Sequence, residues 1–245
     1  MSSDSRALVL QSCRHCGAGA PAEVHFCPQC ERILSLARHG DYFVFFGLPR
    51  KLTVDLADLE RRFRDLSRQF HPDYFYNAST AERLASLERA SYLNDAYRVL
   101  RQPLDRVEYL LKLEGLAPAG RQQAGAPRLE PGLLEEVFEV NAELDAIRRA
   151  RASGGPAEDL ARRLAAAARP IEAHAALQEQ RLATLMARWD ALVDVEASDP
   201  GRAGAEARPA AKRETLEALR SLLHERSYVE NLLQLLARER GEPRA

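Results

Sequence analysis

Four cysteines near the start of the chain have the spacing of a metal site. Cys13 and Cys16 form one Cys-x-x-Cys pair, Cys27 and Cys30 form a second, and ten residues separate the two pairs. Each pair lets two thiolates from one tight turn point at one centre, and two such turns complete a tetrahedron. The spacing therefore predicts a bound metal held by these four thiolates.

Zinc is the metal expected for four thiolates in a reducing compartment, and a single iron in a rubredoxin-like site fits the same geometry. We expect a structural role, because a catalytic zinc keeps an open coordination position. Gly17 and Gly19 are expected to supply the positive φ angles of the turns. The alternatives are two disulfides, which are unusual in a cytosolic protein, or a redox pair, which normally accompanies a βαβ pattern.

The second group of side chains suited to chemistry is His71-Pro72-Asp73. The residue before a proline is pushed out of the α region, so we expect a helix to end at this point. Residues 55–70 supply that helix, with five apolar residues inside an arc of about 80°. These apolar residues are Leu56, Leu59, Phe63, Leu66 and Phe70, and the residues on the opposite face include Arg61, Arg64 and Arg68.

Three further helices are predicted around this loop. Residues 41–49 form a short aromatic helix closed by Gly47 and Pro49, and residues 80–102 form the partner helix of the hairpin, carrying Leu84, Leu87, Leu93, Tyr97 and Leu100. Residues 103–115 form a fourth helix, with proline at its start and glycine just past its end. The loop with the histidine and aspartate therefore joins the second and third helices of a small helical domain.

This arrangement resembles a J-domain, the module with which co-chaperones stimulate the ATPase of DnaK-class chaperones. Four segments are similar in sequence to the HscB family, the J-proteins of iron–sulfur cluster assembly: DYFVFFGLP, QFHPDYF, LNDAY and PLDRVEYLLKLEG. Several members of that family also carry paired Cys-x-x-Cys turns. The resemblance implies that a chaperone of the DnaK/HscA class binds His71, Pro72, Asp73, Arg61, Arg64 and Arg68. Tyr74 departs from the basic residue that follows this tripeptide in many J-domains.

The second half of the chain predicts a three-helix bundle. Residues 116–131 are rich in Gly, Pro and Ala and form a linker, and helices follow over about 132–152, 157–197 and 209–240. Pro170 is expected to kink or divide the middle helix. The predicted core residues of the last two helices are Leu160, Leu164, Ile171, Leu182, Leu185, Trp189, Leu216, Leu219, Leu223, Val229 and Leu233.

The first helix of the bundle has two apolar faces. Its core stripe lies within about 80° of arc and consists of Leu133, Val137, Val140, Leu144 and Ile147. Leu134 and Phe138 lie off this stripe, and they either pack against another helix or dock a partner protein. The family resemblance implies that the scaffold protein IscU binds Leu134, Glu135, Phe138 and Glu139. The family's second contact, an arginine followed by an aromatic, is half matched by Arg220 and Ser221.

Composition excludes several classes of function. The chain has 245 residues and a net charge of −1, which argues against general nucleic-acid affinity. No stretch reaches the length of a membrane span, and the first residues lack the features of a signal or transit peptide, so we expect a cytoplasmic protein. The sequence carries no phosphate-binding loop, nucleophile elbow or convincing pair of catalytic carboxylates, so we expect no enzyme activity.

The sequence therefore predicts a mostly α protein with four segments. A tetracysteine metal segment spans 1–38, a four-helix J-domain spans 39–115, a linker spans 116–131 and a helical bundle for the client spans 132–245. The implied function is a co-chaperone that stimulates a DnaK/HscA-class ATPase and delivers IscU to it. The alternatives are a general J-protein with another client and a zinc-ribbon nucleic-acid adaptor. The sequence is also compatible with a homodimer.

Overall fold

The structure is a computed structural model, and it describes residues 10–21, 23–36, 41–116, 131–198 and 208–241. The chain divides into two compact units, residues 1–113 and 114–245. The mostly α fold predicted from the sequence is confirmed, since helices dominate both units. None of the helices within the described ranges is long and apolar enough to span a bilayer.

Two short strands open the first unit, and helices follow. Its elements are β1 (Leu10–Ser12), β2 (Gly19–Pro21), α1 (Tyr42–Phe45), α2 (Leu56–Gln69), a 3₁₀ turn (Pro72–Phe75), α3 (Thr80–Arg101) and α4 (Pro103–Leu113). β1 pairs with β2 in antiparallel fashion, with Gln11 opposite Ala20. α3 packs against α1, α2, the 3₁₀ turn and α4, so it is the central helix of this unit.

Side-chain caps fix where the two hairpin helices begin. The Asp55 carboxylate accepts hydrogen bonds from the backbone N–H groups of Ala57 and Asp58 at the start of α2. At the start of α3, Ser79 and Glu82 form a reciprocal capping box. Both caps satisfy N–H groups that have no partner inside the helix. The capping box at Ser79 therefore fixes the point where the loop that contains His71 enters α3.

The core of the first unit follows the predicted stripes with three exceptions. Leu59 and Phe70 are fully buried, and Phe63 and Leu66 pack against the core from its edge. The prediction that Leu56 belongs to the stripe is wrong, because this first residue of α2 is 52% exposed. Two apolar residues of α3 also lie outside the core, Leu84 and Leu87.

The second unit is the predicted three-helix bundle, formed by α5 (Pro131–Ala152), α6 (Ala157–Ser198) and α7 (Arg208–Arg240). One cluster of the bundle core joins all three helices through Leu144, Ile147, Leu160, Leu164, Ile171, Val229, Leu232 and Leu236. α6 is not divided at Pro170, and the neighbouring Ala168 and Ile171 are fully buried. Burial on both sides of the proline therefore outweighs the lost backbone hydrogen bond.

Three predictions for the second unit need correction or fall outside the description. On α7, Leu223 and Leu233 are half-buried, whereas their neighbours Leu222 and Leu232 are buried. The gap predicted between the last two helices, residues 198–208, is shorter at both ends, since α6 reaches Ser198 and α7 begins at Arg208. Most of the predicted linker lies outside the described residues. In the first unit, His39 also lies outside them.

Truncation of a core leucine tests the bundle. Leu164→Ala should lower the free energy of unfolding by about 2–5 kcal/mol, because Leu164 is buried against the other helices and the substitution leaves a cavity. Leu177→Ala is the matched control on the same helix, since Leu177 is 63% exposed. Urea unfolding followed by circular dichroism measures both, and equal effects of the two substitutions would contradict this packing.

Candidate functional site

The two cysteine turns have the same backbone conformation. The N–H of Gly17 donates to the carbonyl of Cys13 at 2.9 Å, and the N–H of Glu31 donates to the carbonyl of Cys27 at 2.8 Å. Gly17 has a φ of 76°, as expected, and Glu31 has a φ of 58°. The expectation for Gly19 is wrong, because this residue lies in β2 and Glu31 takes the left-handed position of the second turn.

The four thiols converge on one centre. Sγ of Cys13 lies 3.7 Å from Sγ of Cys30, and the same distance separates Cys16 from Cys27. All four sulfur atoms lie within 4.8 Å of one another. A tetrahedral zinc with Zn–S bonds of about 2.3 Å requires sulfur atoms about 3.8 Å apart, so the donor set fits this geometry. The predicted tetracysteine cluster is confirmed as a group that could hold a metal.

The pKa values of two of the four thiols are shifted in opposite directions. Backbone N–H groups of Cys16 and His15 lower the pKa of the Cys13 thiol to about 6. The N–H of Arg32 acts in the same direction on Cys30, but burial and the neighbouring thiols outweigh it and raise the pKa of Cys30 to about 12. A metal ion would hold all four groups as thiolates, because its charge stabilises each of them.

A buried arginine joins the cysteine segment to the hairpin. Arg89 on α3 is only 2% exposed, and its guanidinium donates to the carbonyls of Leu34 at 2.7 Å and Ser35 at 3.2 Å. It also lies 2.7 Å from Nδ1 of His25. Burial and the charge of Arg89 lower the pKa of His25 to about 4, so the neutral ring accepts this hydrogen bond.

Sequence reasoning missed Arg89, although a signal was present. The buried face of α3 includes Ala85, Leu93 and Leu100, and Arg89 lies four residues before Leu93 on that face. A charged residue at a core position of a helix indicates a buried polar contact with another segment. The sequence could not identify that segment, since Leu34 and Arg89 are distant in the chain.

The His71-Pro72-Asp73 loop is a short 3₁₀ turn that presents its side chains to solvent. His71 has an extended backbone, as expected before a proline, and Pro72 is the first residue of the turn. Nδ1 of His71 accepts a hydrogen bond from the N–H of Asp73 at 3.3 Å and lies 3.5 Å from its carboxylate. The side chains of His71 and Asp73 are 52% and 88% exposed. Both can therefore contact a partner.

The arginine face of α2 is exposed but is already paired with acids. The side chains of Arg61, Arg64 and Arg68 are exposed and form ion pairs with Asp58, Glu60 and Asp65, respectively, one turn away on the same helix. The basic face predicted from the sequence therefore lies beside acidic residues of the same helix. Exposed ion pairs contribute only about 0–1 kcal/mol, so a partner's carboxylates can replace them at little cost.

Comparison with solved structures identifies the fold. The crystal structure of the human co-chaperone protein HscB matches with a TM-score of 0.57 and 23% sequence identity, over 94% of this chain and 98% of that chain. The chain has the HscB fold. The chaperone HscB from Vibrio cholerae is 28% identical over 80% of this chain and 99% of that chain, with a TM-score of 0.44. No protein-family model matches the sequence. The predicted resemblance to HscB is confirmed at the level of the fold.

In the second unit, the predicted client residues lie on the outer face of α5. Leu134 is 42% exposed and Phe138 is 67% exposed, and the adjacent Glu135 and Glu139 are also exposed. The core stripe of the same helix is buried, as predicted, with Val137 at its edge. These four exposed residues therefore form one small apolar and acidic patch, which we call the α5 patch.

Arg220 does not share a helix with the α5 patch. It lies half-buried on α7, where Ser221 follows it. Two contacts show which residues of neighbouring helices lie side by side. Glu136 of α5 contacts His174 of α6, and Arg181 of α6 contacts Glu225 of α7. By this register, Arg220 lies more than one helical turn beyond the level of the patch along α7. The contact with His174 also gives that histidine a structural role in the bundle.

Metal analysis tests the tetracysteine centre. The purified chain should hold about one metal ion per four cysteines, and cobalt substitution should give the absorption spectrum of tetrahedral thiolate coordination. Cys27→Ser should lose most of the metal, because it removes a buried ligand. His15→Ala is the control and should retain the metal. Equal loss from both variants would contradict a site built from thiolates alone.

Proposed function

We propose that this chain is an HscB-type co-chaperone of iron–sulfur cluster assembly. It stimulates the ATPase of a DnaK/HscA-class chaperone and delivers an IscU-type scaffold protein to that chaperone. The observation that carries this proposal is the exposed His71-Pro72-Asp73 turn at the end of α2, in a chain with the HscB fold. The co-chaperone needs no catalytic site of its own, because the partner performs the hydrolysis.

The chaperone site consists of the turn and the arginine face of α2. The Asp73 carboxylate is almost fully exposed and is suited to bidentate pairing with an arginine of the partner. Arg61, Arg64 and Arg68 would meet an acidic surface of the chaperone, exchanging their own carboxylates for those of the partner. Charge complementarity of this kind mainly sets orientation and association rate. His71 would then contact the switch region of the ATPase.

The scaffold site is the α5 patch. Leu134 and Phe138 offer exposed apolar anchors, and Glu135 and Glu139 surround them with negative charge. Apolar side chains ringed by charge are typical of a protein-binding surface. We keep Arg220 as a second scaffold contact, supported only by the family resemblance.

Each predicted segment of the chain has its own proposed role. We assign chaperone binding to residues 39–115 and scaffold binding to residues 132–245, with the metal segment 1–38 in a structural role. Zinc is the proposed metal, since four thiolates at tetrahedral spacing suit it, and a single iron is the alternative. Four free cysteines suit a reducing compartment such as the cytoplasm.

Removal of the histidine tests the chaperone site. His71→Gln should reduce ATPase stimulation to the basal rate of the chaperone, because the exposed ring is the group that contacts the switch region. Scaffold binding should be unchanged, since His71 belongs to the first unit and the patch to the second. Steady-state ATPase assays and calorimetric titration with the scaffold measure the two activities. Equal loss of both activities would argue against separate sites.

Truncation of the α5 patch tests the client. Leu134→Ala combined with Phe138→Ala should weaken scaffold binding by roughly 30-fold or more, as expected for the loss of interface anchors. Stimulation of the ATPase by the variant alone should remain. Val195→Ala, at an exposed valine of α6, is the control. Undiminished scaffold affinity would remove the patch from the proposal, and binding of another client only would indicate a general J-protein.

A further inference from the structure

The residue directly before the His71-Pro72-Asp73 turn is one of the most constrained in the first unit. Phe70 is fully buried and is the C-cap residue of α2. Its carbonyl accepts a hydrogen bond from the buried hydroxyl of Ser86 at 2.7 Å. Its ring centroid lies 5.0 Å from that of His25, 5.9 Å from that of Phe45 and 6.2 Å from that of Phe26. The position of Phe70 sets where the chain leaves α2 and therefore where the turn begins.

Two of these three rings belong to the tetracysteine segment. His25 and Phe26 directly precede Cys27, one of the four cysteines that could hold a metal. Phe26 forms a β-bridge with Ile33 across the second cysteine turn, and the N–H of Leu34 donates to the carbonyl of His25 at 3.0 Å. The bound metal would close this turn, and the backbone pairs beside it fix where the two rings lie.

Arg89 makes a second connection between the tetracysteine segment and Phe70. Its hydrogen bonds to His25, Leu34 and Ser35 all end in the tetracysteine segment, and its guanidinium carbon lies 5.6 Å from the ring centroid of Phe70. A buried guanidinium that loses its acceptors is costly, so it must move towards water when they are withdrawn. Such a movement would open the space beside Phe70.

We propose that the metal-bound tetracysteine segment positions the His71-Pro72-Asp73 turn of this chain, through Phe70 and Arg89. The metal would hold His25, Phe26 and the carbonyl acceptors of Arg89 in place, and these groups hold Phe70. Loss of the metal loosens the turn while the helices of the hairpin persist. The metal segment is thus a positioning element for the chaperone site, and Arg89 is a positioning residue.

The expected change is local because most of the hairpin core does not involve the cysteine segment. Leu59, Leu93 and Leu100 remain packed between α1, α2 and α3. α4 is held separately, since its buried Arg106 donates to the carbonyl of Leu100 at 2.7 Å and its Val107 is fully buried. Native proteins commonly open in one region while the rest of the core stays folded.

Hydrogen exchange followed by mass spectrometry tests this proposal on the full chain. The measurement compares zinc-loaded protein with protein stripped by a chelator under reducing conditions, and it needs no chaperone. Metal removal should speed exchange in residues 70–76 by about tenfold or more, which corresponds to about 1.4 kcal/mol of lost protection. Exchange in α4 and in α6 should change little.

Arg89→Met separates positioning from metal binding. The variant keeps all four cysteines, so it should retain the metal and still show faster exchange in residues 70–76. Arg98→Met is the matched control, because Arg98 lies on the same helix with its side chain 75% exposed. Unchanged exchange of the turn in both the stripped protein and Arg89→Met would overturn the proposal. So would equal acceleration in α4, since that result indicates general unfolding.

ATPase stimulation supplies the functional arm, which rests on the proposed co-chaperone function. Stripped protein and Arg89→Met should each stimulate the chaperone several-fold less than their controls, and readdition of zinc should restore the stripped protein only. If the intact chain stimulates no DnaK-class chaperone, the proposed function fails while the exchange result still decides the positioning. If stimulation is normal without metal, the positioning role is overturned and the proposed function stands.

Discussion

The burial of Phe70 is the constraint on which the proposed chaperone site depends. One residue joins three parts of the unit: the carbonyl of Phe70 accepts from the buried Ser86 of α3, and its ring contacts Arg89 and the rings beside the second cysteine turn. Because this residue cannot move without disturbing all three, the backbone that follows it leaves α2 in one direction. Pro72 then restricts His71 to an extended conformation. Rigid packing behind the turn is what allows its polar side chains to stand exposed in a fixed arrangement.

Both proposed binding sites follow the same design. In each unit a helix buries one apolar stripe and leaves a second face free: α2 presents arginines, and α5 presents Leu134 and Phe138 with two glutamates. The buried stripe orients each helix, and this orientation fixes the direction in which the outward face points. Separate units for the two sites would let a single chain hold an ATPase and its client at once, which raises their effective concentration for each other.

Much of this architecture could be predicted from the sequence, because helical periodicity, caps and prolines act locally. The hairpin, the bundle and the cysteine cluster all follow from such patterns. Contacts between residues that are distant in the chain could not be predicted from the sequence. The pairing of Arg89 with Leu34 and His25 joins residues more than fifty positions apart. The exposure of Leu56 and the continuity of α6 through Pro170 depend on what packs nearby, which periodicity does not encode.

The proposed function requires that this chain bridge a chaperone and a scaffold protein. The most direct measurement is the amount of IscU-type scaffold retained on an immobilised DnaK-class chaperone in ATP, as the concentration of this chain is raised. A bridging protein predicts a curve that rises and then falls, because excess chain occupies each partner separately. His71→Gln and the Leu134→Ala/Phe138→Ala double variant should each give a flat curve. No retention at any concentration, or equal retention without this chain, would contradict a bridging role for this chain.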